Sequence, residues 1–151
     1  SPMQTHVPHA GVFAHPARNV GSLGVQSGMV IADFGAGSGH YTLQFAQELH
    51  GSGRVYAIDV QQDLLRRIKN EAAHKDLKNI EIVHGDIARP HGTKLSDRCA
   101  DLVLISNTLF QLEDKAAALK EAWRVLQPGG RHSPVSGCAD AHPRQVPTGR
   151  R

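Results

Sequence analysis

Three aspartates stand at the ends of successive apolar segments, and the first comes directly before a glycine-rich turn. Asp33 lies in the stretch VIADFGAGSG, in which every second residue from position 35 to position 39 is glycine. A carboxylate beside a pyrophosphate would add like-charge repulsion, whereas beside an ammonium or a sulfonium it is attractive. Glycines also let the backbone approach a ligand closely. The turn therefore favours a ligand with a positively charged amino-acid end.

The other two aspartates suit a nucleoside end of the same ligand. Asp59 ends the segment RVYAID, 20 residues past Gly39, where it is placed to accept hydrogen bonds from ribose hydroxyls. Asp86 follows the segment NIEIVH, and together with Ile87 it would face an adenine amino group and ring. A helix N-cap is the alternative role for Asp59, a plain loop residue is the alternative for Asp86, and a turn without any ligand is the alternative for the glycines.

The elements that must position these residues alternate along the chain. Apolar runs predict four strands, and apolar residues spaced i, i+3, i+4, i+7 predict helices. The order predicts an α/β fold with a doubly wound, Rossmann-like, mainly parallel sheet, whose ligand crevice lies at the carboxyl ends of the strands. The predicted strands are MVIADF (29–34), RVYAID (54–59), NIEIVH (79–84) and ADLVLIS (100–106).

The same spacing predicts which helical residues face the core. Asp101 begins its strand instead of ending it, so we interpret it as structural. The predicted inner faces are Thr42, Phe45, Ala46 and Leu49 for the first helix, Leu64, Leu65, Ile68 and Ala72 for the second, and Leu119, Ala122, Trp123 and Leu126 for the third.

The ordered segments DFGAGSG, VYAIDV, HGDIA, ADLVLISNTLFQL and EAWRVLQPGGR resemble the motifs of class I S-adenosylmethionine-dependent methyltransferases, over about residues 20–131. They are most similar to the small-molecule branch that includes the ubiquinone/menaquinone-type enzymes. The resemblance implies S-adenosylmethionine as cofactor and in-line methyl transfer to a small-molecule acceptor, and it identifies no catalytic base. The cofactor contacts are then Asp33, Gly35, Ala36, Gly37, Gly39 and Tyr41 around the methionine end, Asp59 and Val60 at the ribose and adenine, Asp86 and Ile87 at the adenine, and Ser106 and Asn107 near the reactive methyl.

The chain is predicted to divide into an N-terminal arm or lid (1–28), a cofactor-binding domain (29–130) and a disordered tail (131–151). The resemblance implies seven strands, so we expect a sheet that is incomplete at its C-terminal half, as if truncated after the fourth strand and the helix that follows. The exposed edge of the fourth strand would then favour homo-oligomers. A catalytically inactive, binding-only fragment is therefore one alternative. An NAD-dependent oxidoreductase domain is another, disfavoured by Asp33 and by His40 at the third dinucleotide-glycine position.

Composition argues against several partners. The formal net charge of +3 comes from residues 131–151, which hold four arginines and one aspartate, so the remaining 130 residues are neutral and no nucleic-acid partner is expected. No apolar run is long enough to span a bilayer. The ten histidines are scattered singly, which predicts no metal site. Cys99 and Cys138 are interpreted as reduced thiols, and a cytoplasmic location is expected from them.

Overall fold

The computed structural model describes residues 11–14, 23–106, 112–127 and 138, and of residues 11–14 and 112 it describes the backbone alone. The strands predicted from the apolar runs are confirmed, with ends that differ by at most two residues. The elements within these ranges are β1 (Gly11–Ala14), β2 (Val30–Phe34), α1 (His40–Glu48), β3 (Arg54–Asp59), α2 (Gln62–His74), β4 (Ile80–His84), β5 (Leu102–Ile105) and α3 (Leu112–Val125).

The strands form one sheet in the order β1-β5-β2-β3-β4, and all four pairings are parallel. Alternate residues of each strand point to opposite faces of such a sheet. On one face, Ile31 and Val55 pack with the inner residues of α1, and Ala57 packs with those of α2. On the other face, Phe34 and Ile58 pack with α3. The predicted doubly wound α/β fold is therefore confirmed.

The strand register brings the carboxyl ends of four strands to one edge of the sheet. Phe34 at the end of β2 pairs with Ile58 of β3 on one side and with Ile105 of β5 on the other. Asp59 pairs in turn with His84, the last residue of β4. Because all strands are parallel, the segments that follow them meet at this edge, where the site residues were predicted.

A fifth strand comes from the N-terminal segment, which the sequence patterns do not predict. The backbone of Gly11–Ala14 pairs in parallel with β5, in the register Gly11↔Leu102 to Ala14↔Ile105. The expectation that β5 forms an exposed edge is therefore wrong, because β1 occupies its outer side. The homo-oligomer predicted from that edge loses its basis.

The predicted inner face of α3 is partly wrong. Trp123 is 64% exposed and Leu119 is 43% exposed, although their spacing and size suggested core positions. The buried positions of the helix are Ala118, Glu121, Ala122 and Val125, followed by Leu126 just after it. The inner stripe thus contains two alanines and one acid beside Val125, so the hydrophobicity of individual residues reveals only part of it.

Glu121 is buried because its carboxylate is fully engaged. It accepts hydrogen bonds from the Thr93 hydroxyl at 2.7 Å, from the backbone N–H groups of His91 and Thr93, and from the Arg124 guanidinium at 2.6 and 2.9 Å. Burial acts to raise the pKa of Glu121, but the hydrogen bonds from Arg124 and Thr93 outweigh it and lower the pKa below the ordinary 4.5. Glu121 therefore binds α3 to the loop that precedes β5.

Cys99 and Cys138 form a disulfide in the structure. The expectation of two reduced thiols is therefore wrong, and the cytoplasmic location inferred from them loses that support. Cys99 precedes β5 at the edge of the sheet opposite the site, and Cys138 is buried in the core on the α3 face. The distance of 39 residues between them along the chain hides the pairing from sequence patterns.

Within the described part of the chain, none of the helices has the length and apolar character needed to cross a membrane. The same residues contain no group of three or more His, Cys, Asp or Glu side chains placed to hold a metal ion.

Replacing Glu121 with glutamine should lower the free energy of unfolding at pH 7 by about 2–4 kcal/mol, because a buried amide cannot accept all of these hydrogen bonds and leaves Arg124 with the exposed Asp97 as its carboxylate partner. Denaturant unfolding measures the change, with Glu71→Gln on the exposed side of α2 as the control. Because the pKa of Glu121 is lowered in the folded protein, its contribution should be lost from the wild type as the pH falls below about 4.5. Equal stabilities of the two variants would contradict this role.

Reduction should also destabilise the fold. A disulfide that closes a loop of this length lowers the entropy of the unfolded chain, an effect of about 4 kcal/mol in the chain-entropy model. We expect non-reducing peptide mapping to show the Cys99–Cys138 linkage, and Cys138→Ser to lower the melting temperature by about as much as a reducing agent lowers that of the wild type. Two free thiols in the native, unreduced protein would show that the linkage is absent.

Candidate functional site

A cleft of about 320 Å³ opens at the carboxyl edge of the sheet, between the glycine turn and the connection from β3 to α2. Six of the twelve residues predicted from the sequence line it. They are Gly35, Ala36, Gly37, Tyr41, Asp59 and Ser106. A larger cavity of about 410 Å³ lies between α2 and β4 and contains none of the predicted residues.

The three glycines of the turn have different roles. All have positive φ angles, which favour glycine. A Cβ on Gly37 would meet nothing closer than the Gly35 carbonyl oxygen at 3.8 Å, so its backbone is open to a ligand in the cleft. A Cβ on Gly39 would lie 2.5 Å from Ile68 of α2. Gly39 is therefore required for the packing of α1 on α2, and it does not line the cleft.

Asp59 joins the two walls of the cleft. Its side chain is almost fully buried, and one carboxylate oxygen accepts a hydrogen bond from the Gly37 N–H at 3.0 Å. The other oxygen accepts one from the Gln61 N–H at 2.9 Å. Gln61 is the N-cap of α2, so Asp59 lies two residues before the cap and fixes the loop that leads to the helix. Each oxygen retains lone pairs for further donors.

Asp33 lies beneath the cleft and does not line it. It is completely buried at the junction of three elements. One carboxylate oxygen accepts a hydrogen bond from the Thr42 hydroxyl of α1 at 2.8 Å, and the other accepts one from the Ser106 hydroxyl after β5 at 3.1 Å. The Ser106 hydroxyl is also 3.0 Å from the Gly35 carbonyl oxygen. Asp33 therefore connects to the cleft through Ser106.

Burial is the main reason that the pKa of Asp33 is raised from 3.8 to about 6. The hydrogen bonds from Thr42 and Ser106 lower the pKa and offset part of the effect, while the nearby charge of Asp59 raises it further. Asp33 thus changes its charge close to neutral pH, and its partners are two hydroxyl groups and the Thr42 backbone, with no cation among them.

The residues predicted for the adenine end lie farther along the same edge, outside the cleft. Val60 is 55% exposed. The Asp86 carboxylate accepts a hydrogen bond from the Ala88 N–H at 2.9 Å. Ile87 is buried in the core of the α3 face. The N–H of Gly85 donates to the Asp59 carbonyl at 3.1 Å, which places this loop directly beside the end of β3. Asn107 lies outside the described residues.

Four residues that line the cleft were not among the predicted contacts. They are Ser38, His40, Gln61 and Leu64. Ser38 and His40 lie in the glycine turn, so the motif itself indicates that they border the cleft. Leu64 was assigned to the inner face of α2 because it is apolar, and no pattern distinguishes it from the core residue Leu65.

The chain is similar in sequence to known methyltransferases. The model of a family described as "Methyltransferase domain" matches residues 25–147. The chain is 28% identical over 123 residues to the demethylmenaquinone methyltransferase of Listeria monocytogenes, which is 82% of this chain and 49% of the relative. It is 33% identical over 108 residues to the enzyme of the same name from Staphylococcus aureus, which is 72% of this chain and 43% of the relative.

Solved structures agree with this match. A SAM-dependent methyltransferase from Aquifex aeolicus superposes with a TM-score of 0.62 at 28% identity, over 72% of this chain and 56% of the other. An arsenic(III) S-adenosylmethionine methyltransferase from Chlamydomonas reinhardtii gives 0.60 at 33% identity, over 69% of this chain and 37% of the other. The chain therefore belongs to the class I S-adenosylmethionine-dependent methyltransferase family, as its motifs predicted. It spans about half the length of the curated relatives it matches.

The burial of Asp33 predicts a pH dependence of stability. Between pH 4 and 6 the folded protein keeps a proton on Asp33 that the unfolded chain releases, so the free energy of unfolding should fall as the pH rises through this range and level off above it. A pKa rise from 3.8 to about 6 corresponds to about 3 kcal/mol. Denaturant unfolding at several pH values should show this fall in the wild type and not in Asp33→Asn. Parallel curves for the two proteins would contradict the assignment.

Proposed function

We propose that this chain binds S-adenosylmethionine in the cleft between the glycine turn and Asp59 and transfers its methyl group to a small-molecule acceptor. The observation that carries the proposal is the contact of Asp59 with Gly37: a carboxylate at the end of β3 is held against a backbone that has room for a ligand. Membership of the methyltransferase family supports the same ligand.

The residues of the cleft fit the parts of this cofactor. The lone pairs of Asp59 suit the paired hydroxyls of a ribose, because a carboxylate accepts two hydrogen bonds side by side. Gly35 and Gly37 leave the backbone accessible to the methionine end, and Ser106 offers a hydroxyl there. The loop that begins at Gly85 adjoins Asp59, so we assign the adenine to the region of Val60, Asp86 and Ile87.

The bound cofactor would supply a methyl group on a sulfonium: in-line attack by an acceptor would form a bond to the methyl carbon as the carbon–sulfur bond breaks and the neutral thioether leaves. The contribution of the chain is then to hold the acceptor and the methyl in that alignment, an effect worth at most about 7–11 kcal/mol. The glycine turn is attached to the end of β3, because the N–H groups of Gly35 and Ala36 both donate to the Ile58 carbonyl, at 2.8 and 3.0 Å. We assign no general base, since a base is required only where the acceptor loses a proton during attack.

A small molecule is the acceptor class that we favour. The chain outside residues 131–151 carries equal numbers of acidic and basic side chains, which does not suit a polyanionic substrate. The two named relatives are demethylmenaquinone methyltransferases, which supports a small acceptor for this chain as well. The oxidoreductase and inactive-fragment alternatives gain no support from these matches.

Replacing Asp59 with asparagine should weaken binding of S-adenosylhomocysteine about 10- to 100-fold, because hydrogen bonds to a charged acceptor are worth about 1.5–3 kcal/mol. Isothermal titration calorimetry measures the change, with Asp63→Asn as the matched control. Asp63 is exposed on the first turn of α2, and its replacement should leave the affinity unchanged.

Titration with NAD and a methyl-transfer assay complete this experiment. No heat is expected with NAD. Turnover with a quinol-type acceptor would separate an enzyme from a binding-only chain. Binding of NAD in place of S-adenosylhomocysteine, or equal affinities of the Asp59→Asn and Asp63→Asn variants, would contradict the proposed site.

A further inference from the structure

We propose that Asp33 is a positioning residue that acts through Ser106, by turning the Ser106 hydroxyl so that its oxygen and the Gly35 carbonyl both accept hydrogen bonds from the ligand's ammonium group. The inference rests on the proposed function, because the ammonium belongs to the methionine end of the cofactor. It goes beyond that function by identifying what controls the recognition of this end.

The geometry gives the Ser106 hydroxyl two competing acceptors. Its oxygen lies 3.1 Å from an oxygen of Asp33 and 3.0 Å from the Gly35 carbonyl oxygen. A hydroxyl carries one hydrogen, so it donates to one acceptor at a time. Ser106 and Gly35 both line the cleft, whereas Asp33 is completely buried behind them. The direction of this one hydrogen atom therefore changes which lone pairs of the two oxygens are free to accept hydrogen bonds from a ligand.

The charge of Asp33 selects that direction. Hydrogen bonds to an ionised carboxylate are about twice as strong as those between neutral groups. When Asp33 is ionised, the Ser106 hydroxyl therefore donates its hydrogen bond to Asp33. The lone pairs of Ser106 and the Gly35 carbonyl are then both available to an ammonium in the cleft. In the protonated state Asp33 accepts more weakly and carries a hydrogen of its own, so the Ser106 hydrogen turns to the Gly35 carbonyl and takes one of its two lone pairs.

The ionisable surroundings of Asp33 are few. Neither β2 nor β5 contributes another ionisable side chain. From β3, the charge of Asp59 acts on Asp33, and from α1, His40 and Tyr41 line the cleft. Thr42 of α1 holds the second carboxylate oxygen by a neutral hydroxyl. The raised pKa of Asp33, about 6, places its change of charge within the range in which binding is easily measured.

The test is calorimetric titration of the full chain with S-adenosylhomocysteine and with adenosine, at several pH values between about 5 and 7.5. For a group with a pKa of about 6 whose ionised form favours binding of the ammonium, the affinity for S-adenosylhomocysteine should rise over this range by up to about tenfold. The affinity for adenosine, which lacks the ammonium, should stay constant.

Variants separate Asp33 from the other groups in the cleft. Asp33→Asn and Ser106→Ala should each abolish the pH dependence for S-adenosylhomocysteine and leave the affinity for adenosine unchanged. Ser106→Thr, which keeps the hydroxyl, should restore the dependence. His40→Gln should keep the dependence, whatever it does to the affinity at pH 7.5. If Asp33→Asn does not fold, the Ser106 pair alone decides the question.

Each other outcome overturns the inference. A constant affinity for S-adenosylhomocysteine, or a dependence lost in His40→Gln, would show that Asp33 does not control recognition. A full pH dependence in Ser106→Ala would show that Asp33 acts by its charge alone and not through the hydroxyl. Absence of binding of either ligand at every pH would overturn the proposed function together with this inference, whereas the first three results would leave the proposed function intact.

Discussion

The site depends on the hydrogen bonds that the buried carboxylate of Asp33 accepts. Asp33 is the second-last residue of β2, and its two oxygens accept hydrogen bonds from Thr42 at the start of α1 and from Ser106 after β5, so three elements that are distant in sequence meet at one side chain. Burying an ionisable group without a cation costs free energy, which is reflected in the raised pKa of Asp33. The hydroxyl partners offset part of this cost. In return, the glycine turn above Asp33 has a fixed position relative to the sheet.

The fold could be predicted from the sequence wherever local pattern and tertiary position agree. The strands that become β2, β3 and β5 are continuous apolar runs because both faces of the sheet are covered, and Thr42, Phe45 and Ala46 are buried in α1 as their spacing predicted. The predictions were wrong where contacts with residues distant in the sequence determine the local structure. The burial of Glu121 depends on Thr93 and Arg124, β1 is a strand only because β5 is beside it, and the Cys99–Cys138 disulfide joins two residues in otherwise unpatterned segments.

The site was predicted unevenly for a related reason. The spacing of the glycine motif and Asp59 predicts a shared site, and the structure brings Gly37 and Asp59 into contact. The same motif contains Gly39, which the packing against Ile68 explains without a ligand, and Asp33, which lies one layer below the cleft. A sequence motif thus contains the residues that contact a ligand and the residues that pack the turn, without distinguishing them. Only the three-dimensional arrangement separates the residues that face a ligand from those that support them.

The most direct test of this account is a crystal structure of the chain with S-adenosylhomocysteine. We expect the ligand between the glycine turn and the β3–α2 connection, with the ribose hydroxyls on the Asp59 carboxylate and the amino group beside Ser106 and the Gly35 carbonyl. Density for the ligand in the cavity between α2 and β4, or in the cleft with its two ends exchanged, would contradict the assignment of these residues.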